Sequence, residues 1–296
     1  MLRKRLFFIV KRLLYSLAIM LGVIVAVFFL FQGFGDPSRL VMGQRADQAT
    51  QDNIRRELNL DKPRWKQFVL YLNDVSPIGV HTREEIDQKE LKGWFIGGER
   101  KLGIKWPYLN RSYQTRAPVW SVLMEALPGT LLLAVTAMVF ASLAGVFLGV
   151  VAAVKKDTWM DTGAVFSSIL GISAPSFFTG ILIAWIFGFL LSDVTGLQMT
   201  GSWFDVDEQT GRRYLTLHSL ILPALTLGIR PLAIITQLTR SSMLDTLDQD
   251  YIRTAYAKGL SHAAVICRHA LPNTLNPVIT AITGWFAELL AGAFFV

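Results

Sequence analysis

The sequence predicts an all-α integral membrane protein, and two observations carry that prediction. Of its 296 residues, 52% are hydrophobic and only 17% are charged. The apolar residues are gathered in runs of about 20 or more, the length that a helix needs to cross a bilayer. The net charge of +7 does not require a nucleic-acid partner, because Lys and Arg accumulate in the short cytoplasmic loops of membrane proteins.

The first predicted span covers about residues 10–31 and follows a basic N-terminal stretch. Its charge-free part, from Leu13 to Phe31, is longer than the core of a signal peptide. No small-residue cleavage site follows it. We therefore expect residues 1–31 to form a cytoplasmic basic segment and a span that the mature protein keeps.

Residues 32–117 form a long polar region, which we expect in the periplasm. A helix is predicted from near Asp47 to near Pro63, because the residue before a proline disfavours helix. The stretch RWKQFVLYLNDV predicts a second, amphipathic helix. Residues 76–117 are rich in Gly, Pro and aromatic residues and predict loop with short strands.

Further spans are predicted at about 129–153, 164–191 and 217–239, and from Asn273 onward. Pro175 lies well inside its span and should kink it. Alternation places Lys155, Lys156 and Arg240 in the cytoplasm and the net acidic loop 192–216 outside, as the positive-inside rule requires. The chain ends inside an apolar run, LLAGAFFV, so we expect a truncated chain that lacks at least one span.

Two features of the spans point to function. Small residues such as Ala137, Gly145 and Gly149 indicate close helix packing, either as ordinary packing or along a mobile pathway. Arg230 and Glu288 lie inside spans, where an ionisable group usually faces protein or a water-filled cavity. They are expected to pair with each other or to line a polar route. The alternative for the first is that Arg230 and the proline after it mark a helix break.

A polar segment, DYIRTAYAKGLSHAAVICRHALPN, runs from Asp250 to Asn273 between two predicted spans. Asp250 is expected to cap a short helix and Gly259 to end it, in the left-handed conformation. Ser261 is expected to cap a second short helix, after which Pro272 starts the last span. Such a segment suits docking into a groove on a partner, or it is an amphipathic connector at the membrane face.

The spacing of the polar segment also predicts which of its side chains share a face. Tyr251, Ala255 and Lys258 are expected on one side of the first helix, and Ile252 and Tyr256 on another.

Several catalytic motifs are absent from the sequence. It contains no phosphate-binding GxxxxGK[ST], no HExxH and no GxSxG, and its histidines are scattered. Its single cysteine, Cys267, excludes an internal disulfide and a thiolate metal site. A membrane enzyme acting through residues 32–117 and an ATP-independent channel remain as alternatives to a transporter subunit.

The polar segment resembles the cytoplasmic EAA loop of binding-protein-dependent ABC importer permeases, E-A-A-x3-G-x9-I-x-L-P. With Gly259 on the glycine, residues 253–255 fall on E-A-A and residues 271–272 on L-P. Arg253 replaces the acid of the pattern, and His269 replaces the isoleucine. The wording DYIRTAYAKGLS followed by RHALPN is close to the dipeptide, oligopeptide and nickel branch.

Other stretches are similar to the same branch in the same order. They are RRELNLDKPRWKQFVLYL, RSYQTRAPVWSVLMEALPGTLLLA and LPALTLGIRPLAIITQLTRSSMLD. Residues 76–108 look like an insertion.

The resemblance implies a type I ABC importer permease (MetI-like) with six spans, of which about five are present. Residues 118–296 would form the permease core and residues 240–272 the cytoplasmic coupling loop. The loop residues that would contact the ATPase are Asp250, Tyr251, Arg253, Thr254, Ala255, Lys258, Gly259, Leu271 and Pro272. Pathway candidates are Arg230, Glu288 and Pro175.

The resemblance also implies the partners. They are a second permease subunit, identical or different, two ATPase subunits that bind ATP and Mg²⁺, and a periplasmic or lipid-anchored solute-binding protein. The complex would lie in a bacterial inner membrane, with the N-terminus of this chain in the cytoplasm and no cofactor of its own. It would import peptides by alternating access, with nickel or another solute as the alternative.

Overall fold

The structure is a computed structural model that describes residues 2–33, 60–112, 115, 117–200, 204–206 and 213–293. It divides into two compact units, Met1–Glu125 and Ala126–Val296. Most of the helix predicted between Asp47 and Pro63 lies outside the described residues, as do the last three residues of the apolar run at the chain end.

The first unit opens with α1, Leu2–Gly33, which confirms the first predicted helix and extends it at both ends. None of its most apolar window is buried inside the protein. An apolar helix of this length with exposed side chains is stable in lipid, where its backbone groups are satisfied internally. Near its end, the ring of Phe28 packs on Phe68 and Tyr71 of the next described helix, at centroid distances of 5.0 and 5.4 Å.

That helix, α2, spans Arg64–Val75 and confirms the predicted amphipathic helix. It is followed by more regular structure than the sequence predicts. A three-stranded antiparallel sheet, in the order β1-β3-β2, is formed by β1 (Ile78–Thr82), β2 (Gly93–Gly97) and β3 (Arg100–Lys105). Between the first two strands, α3 (Arg83–Gln88) begins with a capping box between Thr82 and Glu85, whose backbone N–H groups each bind the other's side chain at 3.0 and 3.2 Å.

The inner side of this sheet is mixed in polarity. It is formed by Gly79, His81, Phe95, Gly103 and Lys105, whereas the outer side exposes Ile78, Val80, Trp94, Ile96, Leu102 and Ile104. The Lys105 ammonium donates to the backbone carbonyls of Asp74 and Ser76. Burial lowers the pKa of His81 and that of Lys105. These backbone contacts hold α2 against the sheet and explain why a stretch with loop-like composition is folded.

The elements of the second unit, the first of which begins in the first unit, are mostly helices. They are α4 (Val119–Val154), α5 (Trp159–Ser173), α6 (Ser176–Trp185, continued by a π-helical turn, Ile186–Leu190), α7 (Ser192–Thr195), the hairpin β4 (Phe204–Val206) and β5 (Arg213–Leu215), a 3-10 turn (Leu217–Leu220), α8 (Ile221–Leu247), α9 (Asp250–Ala257), α10 (His262–Ala264, continued by a π-helical turn, Val265–Ala270) and α11 (Leu271–Gly292). Within the described ranges, three helices are long and apolar enough to cross a membrane, α1, α4 and α8 with its 3-10 turn. The pair α5 and α6 makes a fourth if it counts as one span. The last predicted span, α11, is not among them and stays a prediction.

The prediction of one kinked helix around Pro175 is wrong, because the chain breaks there into two helices. α5 and α6 meet at 111°. Ala174 is extended (ψ 133°), as the residue before a proline prefers, and Pro175 is extended as well (ψ 137°). The alternative that Pro231 breaks its own helix is also wrong, since α8 continues through it to Leu247.

α8 packs against the other main helices of the second unit. It packs against α5, α6 and α11, and a buried cluster joins it to α4 through Ala134, Ala137, Ala141, Leu227 and Ile235. The small residues of α4 do pack closely, as predicted. A Cβ on Gly149 would lie 2.6 Å from the carbonyl oxygen of Thr236, and one on Gly145 would lie 2.9 Å from Ile235.

Gly149→Ala should therefore destabilise the protein, because the added methyl meets backbone on α8 that cannot move aside. We expect a loss of about 1–3 kcal/mol in the free energy of unfolding. Gly163→Ala is the matched control, since Gly163 is also helical and nothing lies within 4 Å of its added Cβ. Unfolding in detergent, titrated with dodecyl sulfate, measures both variants; equal stability of the two would contradict the close approach.

Candidate functional site

The polar segment folds as a short helix followed by a longer one. α9 covers Asp250–Ala257, as predicted. The predicted second short helix is not separate, because α10 and its π-helical turn continue directly into α11. Pro272 lies in the first turn of α11, where its missing N–H group costs little.

The turn between the helices confirms the prediction for Gly259. Its φ is +77°, and nothing lies within 4 Å of a Cβ built on it. The position therefore demands a left-handed backbone rather than free space. Its N–H group binds the Tyr256 carbonyl at 2.9 Å, and the next N–H group, of Leu260, binds the Ala255 carbonyl at 3.4 Å.

Of the two predicted helix caps, Asp250 and Ser261, only Ser261 is confirmed. The Ser261 hydroxyl accepts from the Ala264 N–H group at 3.4 Å, as expected of a cap. Asp250 is not the cap of α9, because it is the first helical residue and the extended residue before it, Gln249, takes that place. The Asp250 carboxylate instead accepts from Arg253 one turn on, at 3.4 Å, and its charge suits the positive end of the helix.

The predicted faces of α9 are wrong, because the helix buries an i, i+3 pair. Ile252 and Ala255 lie in a cluster with Met243, Val265 and Ala270. Their contacts fix the helix on the ends of α8 and α11. The small Ala255 side chain brings the α9 backbone close to this cluster and is not offered to a partner. Apolar burial decides the orientation, since both tyrosines find polar partners at the surface.

The exposed side of α9 is polar and basic. It is formed by Tyr251, Arg253, Thr254, Tyr256 and Lys258. The Tyr251 hydroxyl accepts from the Asn273 amide at 3.0 Å, and the Tyr256 hydroxyl lies 2.7 Å from His262 Nδ1. Of the remaining predicted residues, Pro272 is exposed and Leu271 is half-buried. The exposed side of α9 thus carries four of the nine predicted contact residues, Tyr251, Arg253, Thr254 and Lys258.

An ion pair that the sequence did not predict joins α5 and α8. The Arg240 guanidinium of α8 donates through two nitrogens to the Asp161 carboxylate of α5, with the second contact at 2.7 Å. The Asp161 side chain is only 6% exposed and also accepts from the Asp157 N–H group at 3.1 Å. Alternation gave a signal for this pair, since it places the start of the third span and the end of the fourth on the same membrane face.

A cavity of about 70 Å³ brings together the predicted intramembrane charges. Arg230 of α8 and Glu288 of α11 both line it, and the residues on either side of Pro175 form part of its wall. Its other lining residues are Gly171, Thr179, Thr226, Leu227, Ile229, Pro231, Trp285, Leu289 and Gly292.

Arg230 and Glu288 do not pair with each other. In the described part of the chain, neither side chain takes part in an ion pair or a side-chain hydrogen bond, and both are exposed to the cavity side. The Arg230 guanidinium instead lies 5.9 Å from the centre of the Trp285 ring. An ionisable group inside a membrane span usually faces protein or a water-filled cavity, and both of these groups line the same cavity.

The models of two protein families match the chain. Residues 145–296 match the family described as binding-protein-dependent transport system inner membrane component. Residues 5–134 match the family of its N-terminal part.

Individual relatives match along nearly the whole chain. The dipeptide transport system permease protein DppB of Escherichia coli (strain K12) is 34% identical, over 97% of this chain and 81% of the relative. The di/tripeptide transport system permease protein DppB of Pseudomonas aeruginosa (strain UCBPP-PA14) is 33% identical, over 97% of this chain and 81% of the relative. The dipeptide transport system permease protein DppB of Alkalihalophilus pseudofirmus is 30% identical, over 96% and 80% respectively.

Asp161→Asn should destabilise the second unit, because it leaves the Arg240 guanidinium partly buried without a carboxylate. We expect a loss of about 3 kcal/mol in the free energy of unfolding, the cost of breaking a buried pair. Arg253→Gln is the control, since it breaks the exposed pair with Asp250 and should cost at most about 0.5 kcal/mol. Unfolding by dodecyl sulfate measures both variants. Similar losses in the free energy of unfolding would show that the pair between Asp161 and Arg240 stabilises the protein no more than an exposed pair does.

Proposed function

Because the chain belongs to the family of binding-protein-dependent transport system inner-membrane components, we propose that it is the permease subunit of an ATP-driven importer of peptides. Its relatives support this substrate class, since their names refer to peptide, dipeptide or di/tripeptide transport. The partners would be a second permease subunit, two ATPase subunits in the cytoplasm and an external solute-binding protein. ATP and Mg²⁺ would bind the ATPase subunits.

One observation carries the proposal, and it is the mechanical connection between α9 and the cavity. α8 holds Arg230 near one end and Met243 near the other, and α11 likewise holds Glu288 and Thr274. At a rise of 1.5 Å per residue, each pair is separated by about 20 Å along its helix. A displacement of α9 would therefore move two continuous helices that both line the cavity.

At the end nearer α9, α8 and α11 are joined by polar contacts as well as by apolar burial. The Ser242 hydroxyl donates to the Thr274 carbonyl at 3.1 Å, and the Thr274 hydroxyl lies 3.2 Å from the Met243 sulfur. Thr274 and Met243 are fully buried. These contacts join α8 and α11 where α9 packs on them, so both helices would follow α9 together.

The proposed mechanism follows from these contacts. ATP binding would bring the two ATPase subunits together, and the exposed basic side of α9 would follow the subunit on which it is docked. α8 and α11 would then move as rigid bodies and expose the cavity to one side of the membrane at a time. The polar route that Arg230 and Glu288 mark would carry the peptide inward.

Gly259→Val should uncouple ATP hydrolysis from uptake in the assembled complex. A side chain in the left-handed conformation costs about 1–2 kcal/mol, and a β-branched one strains the turn that positions α9. We expect normal membrane insertion and ATPase activity but a loss of peptide uptake, measured together on one preparation. Gly259→Asn should keep uptake, because asparagine tolerates this conformation.

Gly196→Val is the matched control for strain alone. Gly196 also has a positive φ, of +66°, with nothing within 4 Å of its Cβ, and it lies outside the polar segment. It should leave coupling intact. Coupled uptake by Gly259→Val, or a functional complex that purifies without any ATPase subunit, would refute the proposal.

A further inference from the structure

We propose that the cavity between α8 and α11 recognises the two charged ends of a zwitterionic peptide, with Arg230 binding the carboxylate and Glu288 binding the ammonium group. The inference rests on the proposed function and assigns its substrate-binding groups in this chain. It says which parts of a peptide the permease itself would read.

The two side chains have opposite charges, and neither charge has an ion-pair partner among the described residues. Arg230 and Glu288 line the same cavity, yet they form no ion pair with each other or with any other described residue. A single ion of either sign would leave one of them without a partner. A ligand that carries both charges would satisfy both with charge-assisted hydrogen bonds.

Trp285 lies against the Arg230 guanidinium. Its ring faces the Arg230 guanidinium at 5.9 Å, and it precedes Glu288 by three residues, so the two share a face of α11. A guanidinium over an aromatic face is held by the ring while its N–H edge stays free for a carboxylate. The tryptophan therefore orients the cation.

α6 contributes part of the cavity wall. Ser176, the first residue of this helix, lines the cavity beside Arg230. The break at Pro175 places the positive end of the α6 helix dipole at that wall, which adds to the attraction for a carboxylate. The opposite charge, Glu288, comes from α11.

The size of the cavity agrees with recognition through the termini. A volume of about 70 Å³ has room for several water molecules, which the charged ends of a ligand would displace. The peptide side chains would extend out of the cavity. Recognition of this kind tolerates any side chains, because every unmodified peptide carries both termini.

The test compares three probes: dialanine, dialanine amide and N-acetyl-dialanine. Initial uptake is measured in proteoliposomes that hold the whole complex, with saturating binding protein that is shown separately to be loaded with each probe. For the native chain we expect faster uptake of dialanine than of either blocked form. Arg230→Gln should lower dialanine uptake about tenfold and leave amide uptake unchanged, so that its preference for a free carboxylate disappears. Glu288→Gln should in the same way remove the preference over N-acetyl-dialanine.

Conservative and distant variants separate recognition from folding. Arg230→Lys and Glu288→Asp keep the charges and should keep most of the preference. Arg83→Gln and Glu84→Gln remove exposed charges from α3 and should change nothing.

Equal losses for all three probes in Arg230→Gln and Glu288→Gln, or unchanged ratios between them, would overturn the assignment while the native chain still imports dialanine. A native complex that imports none of the probes would instead overturn the peptide function, and the inference with it.

Discussion

The close approach of α4 and α8 is the constraint on which the second unit depends. At Gly149 the two backbones come so near that a Cβ would lie 2.6 Å from the Thr236 carbonyl oxygen. In a bilayer, helices gain no hydrophobic stabilisation by leaving lipid for one another, so association relies on this kind of contact. Fixed against α4, α8 becomes the axis on which α5, α6 and α11 assemble.

Two arginines of α8, Arg230 and Arg240, lie in different surroundings. Arg240 is neutralised by a buried carboxylate, Asp161, and so ties α5 to the end of α8 that leads into α9. Arg230 has no such partner in the described structure and lies against Trp285 at the cavity. The same residue type is thus paired at one position of α8 and, among the described residues, has no ion-pair partner at the other. α8 is continuous between the two positions.

The sequence predicted the elements that local patterns determine. The apolar runs gave α1, α4 and α8, and the need for a left-handed glycine gave the turn at Gly259. It also identified Arg230 and Glu288, because charge inside an apolar run is conspicuous. It did not predict that they share a cavity without pairing, since that depends on how α8 and α11 cross and on where the Trp285 ring lies.

Other features were missed for related reasons. The direction in which α9 faces is decided by the cluster around Met243, far from α9 in the chain, so helical spacing grouped Ala255 with the wrong neighbours. The pair Asp161–Arg240 joins residues that lie 79 positions apart. The sheet after α2 is held by lysine contacts to backbone carbonyls, which composition does not reveal.

Alternating access at the cavity can be measured with a single engineered thiol. Cys267 is the chain's only cysteine and is exposed, so Cys267→Ser gives a background in which Thr179→Cys places one thiol in the cavity wall. Its labelling by a membrane-impermeant maleimide is measured from each side of vesicles that hold the complex, with and without ATP and vanadate. The account predicts reactivity from one side in the first state and from the opposite side in the second. Reactivity from both sides in one state, or the same side in both, would contradict it.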